Sequence, residues 1–86
     1  MNEACTNAGN FLQTLFDSAG LKIGVSVVDT ETECLLDLSG ADAELLQVEG
    51  GEFLQAVQHL ASQAFGRMLP VGQRLVCDVD GFRATG

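Results

Sequence analysis

The fold of this chain is decided by the stretch Leu46-Gln47-Val48-Glu49-Gly50-Gly51-Glu52, in which two adjacent glycines lead into an amphipathic segment. Glycine adopts left-handed backbone conformations that other residues avoid, so Gly50-Gly51 predicts a tight turn. The first amides of a helix lack intrahelical partners and lie at the positive end of the helix dipole. A turn that feeds a helix in this way can bind an anion.

Apolar residues recur after the turn at helical spacing and predict a helix from Glu52 to Phe65. Before the turn, a short helix is predicted from Ala43 to Gln47, with Ser39 or Asp42 as a candidate N-cap. The long helix combines two sets of residues. The apolar stripe is Phe53, Leu54, Ala56, Val57, Leu60, Ala61, Ala64 and Phe65, and the polar face is Glu52, Gln55, Gln58, His59, Ser62 and Gln63.

The chain before and after this region adds a helix and three strands. Helical spacing over residues 6–19 predicts the first helix, with Gly20 as a left-handed stop and Leu21 packing back on its last turn. Alternating residues over 21–29 and 33–38 predict an antiparallel hairpin around a polar turn. Residues 73–79 predict the last strand. On the first two strands, one face is formed by Ile23, Val25 and Val27 and by Cys34, Leu36 and Leu38 respectively. On the last strand, the residues expected to face inward are Leu75, Cys77 and Val79, and those expected to face outward are Arg74, Val76 and Asp78.

These elements follow one another in the order α-β-β-α-α-β and predict an α+β fold. The helices pack on one face of a three-stranded sheet, within a single domain over residues 1–86. The second and third strands are joined by a helical crossover, so they should be parallel if they are adjacent.

Composition limits the partners and the location. The formal charge is -8 and the pI is about 4.1, which opposes binding to a polyanion such as nucleic acid. The apolar content of 47 % is typical of a folded chain. No apolar run reaches the length of a membrane span, and the N-terminus Met1-Asn2-Glu3-Ala4 lacks a secretory signature, so we expect a cytoplasmic protein without a membrane partner.

The cysteines are odd in number and far apart, at Cys5, Cys34 and Cys77. No Cys-x-x-Cys pair is present, so neither a disulfide framework nor a zinc site is predicted. Cys34 and Cys77 lie in apolar strand patterns, where cysteine behaves as a small hydrophobic residue. We therefore expect three free thiols.

The short helix, glycine turn and longer helix between two strands resemble the core of a KH domain of type II. The closer likeness is to the KH domain of the bacterial Jag family, also called SpoIIIJ-associated proteins. The turn and helix of that family typically read Leu-Ile-Gly-Arg-Arg-Gly-Glu-Thr-Leu-Asp-Ala-Leu-Gln-Tyr-Leu, and the last strand reads like Arg-Val-Val-Leu-Asp-Val-Glu-Gly-Tyr-Arg. The corresponding stretches here are residues 46–60 and 74–83, and the matching order of elements covers nearly the whole chain.

This resemblance implies binding of single-stranded RNA, because a Gly-x-x-Gly loop in KH domains clamps the nucleotide backbone. The loop here is Val48-Glu49-Gly50-Gly51. Gly51 keeps the second glycine, whereas Val48 replaces the first and Glu49 replaces a basic residue. A β-branched side chain and a carboxylate both oppose the approach of a phosphate. The resemblance therefore implies a degenerate RNA-binding loop formed by Val48, Glu49, Gly50 and Gly51 with Gln55 at the start of the helix.

Three further side chains are candidates for auxiliary contacts with RNA. His59 can serve as a stacking platform or is simply solvated, and Arg67 and Arg74 either join a small phosphate-contact patch with Arg83 or are scattered surface charges. Two hypotheses follow. The chain is a KH-type RNA-binding domain with weak or altered affinity, or it is a KH-like module for protein interaction or homodimerisation that has lost RNA binding.

Catalytic chemistry is not predicted. Ser26, Ser39 and Ser62 have no base or triad partner nearby in sequence, and the acids Glu49 and Glu52 suit a helix N-terminus for structural reasons. His59 has no second His or Cys at ligand spacing. We therefore expect no enzyme activity, no small-molecule substrate, no metal and no cofactor.

Overall fold

A computed structural model describes residues 3–79 and 82–84, without the side chains of Glu49 and residues 82–84. The α+β class and the predicted order of elements are confirmed. None of the helices within these ranges is long and apolar enough to cross a bilayer. The elements are α1 (Glu3–Ser18), β1 (Gly24–Asp29), β2 (Glu33–Ser39), a first 3₁₀ helix (Ala43–Gly51), α2 (Glu52–Phe65), a second 3₁₀ helix (Gly66–Met68), β3 (Arg74–Val79) and β4 (Phe82–Ala84).

The strands lie side by side in the order β1-β2-β3-β4. The β1–β2 hairpin is antiparallel, with Val27 opposite Leu36, and β2 and β3 are parallel, with Leu36 opposite Cys77. The predicted hairpin and parallel pair are therefore both confirmed. The three predicted strands form the body of the sheet, and the short β4 adds an antiparallel pairing from Cys77 to Val79. Three residues are too few to reveal an alternating pattern in the sequence.

The first helix ends as its sequence predicts. Gly20 has a φ of 76°, the Leu21 amide donates to the carbonyl of Phe16 at 2.9 Å, and the Gly20 amide donates to that of Asp17. This pair of bonds is a Schellman motif. Gly9 lies against the sheet, where a Cβ atom would collide with the side chain of Val27. Val27 therefore lies over Gly9 of α1, yet it remains 38 % exposed because glycine covers it with no side chain.

A single core fills the space between the helices and the sheet. Both α1 and α2 contribute to it, and the inward residues of β2 and β3 are fully or almost fully buried. Phe11 and Phe65 meet edge-to-face with their ring centroids 5.5 Å apart, which joins α1 to the end of α2. The largest fully buried side chains are Phe16, Leu12, Leu36, Leu38, Leu46, Leu54, Val76 and Val79.

Two glutamines bind the backbone of the sheet. Gln58 on α2 donates to the carbonyl of Leu75 at 2.6 Å and accepts from the amide of Cys77 at 2.8 Å. Gln13 on α1 binds β1 in the same way, because it donates to Ile23 at 2.9 Å and accepts from Val25 at 3.0 Å. Each amide thus takes the place that one residue of a neighbouring parallel strand would occupy.

One predicted orientation is wrong, and one residue predicted to face outward is buried. Gln58, placed on the polar face of its helix, is only 3 % exposed because its amide serves β3. Val76 lies on the side of the sheet away from the core cluster and beside Leu35, yet it is only 2 % exposed, so it does not face solvent. The predicted apolar stripe of α2 is also divided. Leu54, Val57 and Ala61 are buried, whereas Phe53, Ala56, Leu60 and Ala64 are exposed.

The prediction of three free thiols is wrong. Cys5 on α1 and Cys34 on β2 form a disulfide, with their Cα atoms 5.6 Å apart and both residues fully buried. The pairing was missed because 29 residues separate the two cysteines and only the packing of α1 on the sheet brings them together. Cys77 is a free, buried thiol, and desolvation raises its pKa from 9.0 to about 12.

We expect the Gln58→Leu variant to be markedly less stable than the parent protein. Leucine leaves the Leu75 carbonyl and the Cys77 amide buried without a partner, at about 1–3 kcal/mol for each group. Chemical denaturation followed by circular dichroism measures the loss. Gln63→Leu on the exposed side of the same helix is the matched control and should change the free energy of unfolding by less than about 0.5 kcal/mol. Equal losses in the two variants would contradict the role of Gln58.

A thiol titration tests the disulfide. The denatured oxidised protein should present a single reactive thiol, Cys77, and three after reduction. The native protein should react hardly at all near neutral pH, because Cys77 is buried and its pKa is raised to about 12. Reduction should lower the free energy of unfolding by about 2–4 kcal/mol. Three reactive thiols in the denatured protein without reductant would contradict the Cys5–Cys34 bond.

Candidate functional site

The glycine turn lies where the first 3₁₀ helix meets α2. Gly50 and Gly51 have φ angles of 71° and 82°, and Gly51 is the N-cap residue of α2. A Cβ atom at Gly50 would meet nothing within 4 Å, so the backbone conformation rather than crowding favours glycine there. The predicted short helix is thus a 3₁₀ helix that extends through both glycines, and no side chain caps α2.

The residue before this 3₁₀ helix has a different role from the predicted one. Asp42 occupies the N-cap position but makes no capping hydrogen bond with its side chain. Its carboxylate instead accepts from the backbone amide of Lys22 at 2.6 Å, and its own amide donates to the Lys22 carbonyl. Asp42 therefore ties the start of the 3₁₀ helix to the segment before β1.

An open cleft of about 290 Å³ lies beside the turn, and we call it the apolar cleft. Leu45 and Val48 of the 3₁₀ helix form one wall, and Glu52, Phe53 and Ala56 of α2 form the other. Leu45 is 46 % exposed, Val48 is 53 % exposed and Phe53 is 42 % exposed. Large apolar side chains that stay exposed next to one another are typical of an interaction site.

The packing of the two helical elements explains why these residues stay exposed. Leu46 and Leu54 are fully buried and hold the 3₁₀ helix and α2 against the core. Their immediate neighbours Leu45 and Phe53 must then point elsewhere, because adjacent residues of a helix do not share a face. Leu60 is 41 % exposed and extends the apolar surface along α2.

The electrostatic character of this surface is acidic. Glu52 lines the apolar cleft, and Glu44 is an exposed residue in the first turn of the 3₁₀ helix. Neither the 3₁₀ helix nor α2 contains a lysine or an arginine. A ligand at the apolar cleft therefore meets apolar side chains and carboxylates rather than positive charge.

The structure gathers part of the predicted RNA site. Val48 lines the apolar cleft beside Gly50 and Gly51, and Glu49 belongs to the same 3₁₀ helix. Gln55 is exposed on α2 but does not line the apolar cleft. The sequence prediction missed Leu45, Phe53 and Ala56 as site residues: Leu45 was not singled out in the short helix, and Phe53 and Ala56 were named only as members of the apolar stripe of the long helix. The breadth of that stripe, with eight apolar residues among the 14 of α2, was the available signal.

The predicted auxiliary residues lie outside the apolar cleft. His59 is exposed on α2, one turn beyond Gln55. Arg67 is exposed in the second 3₁₀ helix, and Arg74 begins β3 opposite Glu33 of β2. The side chain of Arg83 lies outside the described part of the structure. None of the described contacts brings Arg67 and Arg74 into one patch.

The chemistry of the site suits binding. Four of the five residues that line the apolar cleft are apolar and one is a carboxylate, so a ligand would be held mainly by burial of apolar surface. Among residues 3–79 and 82–84, no group of three or more His, Cys, Asp or Glu residues could hold a metal ion. Ser62, one of the serines considered above, accepts a hydrogen bond from Gln58 at 3.0 Å.

Comparison with known proteins found no matching family model and no matching curated protein. The likeness to KH domains therefore rests on the order of elements and on the residues of the turn.

Proposed function

We propose that this chain is a KH-like domain that binds a protein partner through the apolar cleft. The observation that carries the proposal is the exposed set Leu45, Val48 and Phe53, on two elements that contain no lysine or arginine. Protein interfaces have apolar and aromatic residues at their centre and polar residues at their rim. Glu52 lines the apolar cleft and supplies a polar group at its edge, and the exposed Glu44 precedes Leu45 on the 3₁₀ helix.

The energy available from this surface fits a moderate interaction. Full burial of a valine, leucine or phenylalanine side chain contributes about 1.5–3 kcal/mol, and roughly half of each of the three side chains is already covered. Covering the remainder contributes on the order of 1 kcal/mol per residue before the entropic cost of association. Specific binding therefore needs the whole apolar surface, including Ala56 and Leu60, together with polar contacts at the rim.

Weak binding of single-stranded RNA, in the manner of the Jag family, is the second candidate. Two left-handed glycines before α2, with open space above Gly50, favour it because they leave room for a phosphate. The exposed ring of Phe53 could stack on a base. The acidic surroundings oppose this function, so the affinity would be low and would depend little on salt.

We propose the cytoplasm as the location for either function. The Cys5–Cys34 disulfide is the feature that opposes this location, because cytoplasmic thiol pools keep most cysteines reduced. Trapping thiols in intact cells by alkylation would show the state of the bond. An oxidised pair throughout the population would favour an oxidising compartment.

Site-specific photo-crosslinking tests the primary proposal. A photoreactive residue at Ala56, inside the apolar cleft, should give a discrete adduct in cells that make the protein, and Phe53→Ser should abolish it because the apolar surface is broken. Gln63, exposed on the same helix, is the matched control position and should give none. Circular dichroism of Phe53→Ser checks that the fold is retained.

The chemistry of the adduct separates the two candidates. An adduct that ribonuclease leaves intact, and whose protease digest contains peptides foreign to this chain, supports a protein partner. One that ribonuclease shortens identifies RNA at the apolar cleft and contradicts the primary proposal. Adducts of equal yield from Ala56 and Gln63 would show that crosslinking does not depend on the apolar cleft.

Titration with short single-stranded RNAs tests the second candidate. At low salt, the double variant Val48→Gly, Glu49→Lys should bind RNA at least about tenfold more tightly than the parent chain, because it removes a β-branched side chain and replaces a repulsive charge with an attractive one. Amide chemical shifts of residues 47–54 measure binding. The matched control Val71→Gly, Glu31→Lys makes the same changes at exposed positions outside the turn. If the amides do not move in the parent chain or the variant, RNA binding through this turn is ruled out.

A further inference from the structure

We infer that the partner of the apolar cleft is a basic amphipathic helix, with an apolar stripe that enters the cleft and lysine or arginine residues on either side of that stripe. This inference rests on the proposed function and names the chemistry of its partner. Shape and charge support it independently.

The shape argument comes from the direction of the exposed apolar residues. Phe53, Ala56 and Leu60 follow one another along α2 at spacings of three and four residues, so they form a line on one side of the helix. At 1.5 Å per residue the line is about 10 Å long, close to two helical turns. Leu45 and Val48 form the opposite wall at one end of this line. A groove with these walls fits a partner helix that presents residues at i, i+3 or i+4 and i+7.

The charge argument selects the sign of the partner. Glu44 and Glu52 lie on the two elements that form the apolar cleft, and the four cations of the chain, Lys22, Arg67, Arg74 and Arg83, all lie outside those elements. Lysine or arginine residues beside the partner's apolar stripe would meet the carboxylates of the rim. The charge of -8 on the chain would also steer a basic partner toward it and raise the association rate at low salt.

The same charges disfavour a second copy of this chain. A symmetric dimer through the apolar cleft would place the same surface on both sides, so two surfaces that both carry carboxylates and no lysine or arginine would be opposed. Two chains of charge -8 would also repel each other during approach. A basic helix avoids both penalties and covers the same apolar side chains.

Designed peptides test the inference directly. The chain contains no Trp and no Tyr, so a single tryptophan in a peptide reports binding without interference from the protein. The probe peptide carries leucines at i, i+3 and i+7, lysines beside them and one tryptophan, and the matched peptide has glutamate in place of every lysine. At low salt the lysine peptide should bind at least about tenfold more tightly than the glutamate peptide, and added salt should reduce this preference.

Protein variants locate the binding site. Phe53→Ser should weaken binding of the lysine peptide at least about tenfold. Val71→Ser is the matched control, because Val71 is a fully exposed apolar residue in the loop after α2, and it should leave binding unchanged. The double variant Glu44→Gln, Glu52→Gln should reduce the preference for lysine over glutamate several-fold while the glutamate peptide binds no more weakly than before.

Each other outcome overturns a defined part of the inference. Equal binding of the two peptides, with loss of both in Phe53→Ser, overturns the basic partner and leaves the apolar cleft as a docking surface. Binding that Phe53→Ser does not weaken places the peptide elsewhere. If neither peptide binds, the inference of a helical partner is wrong. The crosslinking experiment still tests the proposed protein binding independently of the peptides. A dimer that Phe53→Ser dissociates identifies a second copy as the occupant.

Discussion

The side chain of Gln58 fixes the position of α2 on the sheet. Its side-chain amide donates to the Leu75 carbonyl and accepts from the Cys77 amide. The pairing of β4 with β3 begins only at Cys77, so Gln58 binds the edge of β3 that precedes this pairing. Unpaired backbone groups in the core are costly, so this contact is satisfied in one orientation of the helix. At the opposite edge of the sheet, Gln13 forms the same pair of hydrogen bonds with the backbone of β1.

The rotation of α2 that buries Gln58 together with Leu54, Val57 and Ala61 leaves part of the apolar stripe exposed. At about 100° per residue, the centre of the apolar stripe and the centre of the buried face differ by roughly 55° around the helix axis. Burying the apolar residues alone would turn Phe53 and Leu60 toward the core. The hydrogen bonds to β3 instead bury Gln58 and leave Phe53 and Leu60 about 40 % exposed. The contact of Gln58 with β3 and the exposure of Phe53 on the apolar cleft therefore belong to the same orientation of α2.

The class of fold could be read from the sequence because it depends on local periodicity and stop signals. The Schellman motif at Gly20 and the hairpin turn, where the Thr30 amide donates to the Glu33 carbonyl, are local features of this kind. The disulfide and the role of Gln58 could not be read, because both join elements that are distant in sequence. Cys5 contacts Cys34 only when α1 is packed on the sheet, and Gln58 contacts β3 only when α2 is packed on the sheet as well.

The sequence prediction and the structure draw attention to the same turn, but they give it different chemistry. The sequence directed attention to Gly50 and Gly51, and the structure places both in left-handed conformations beside the apolar cleft. In a phosphate-binding turn, Val48 would weaken binding because its β-branched side chain obstructs the phosphate. In the structure, Val48 is also a wall of the apolar cleft and is 53 % exposed. A residue that weakens a polyanion site thus strengthens an apolar one, and the absence of lysine and arginine from both walls acts in the same direction.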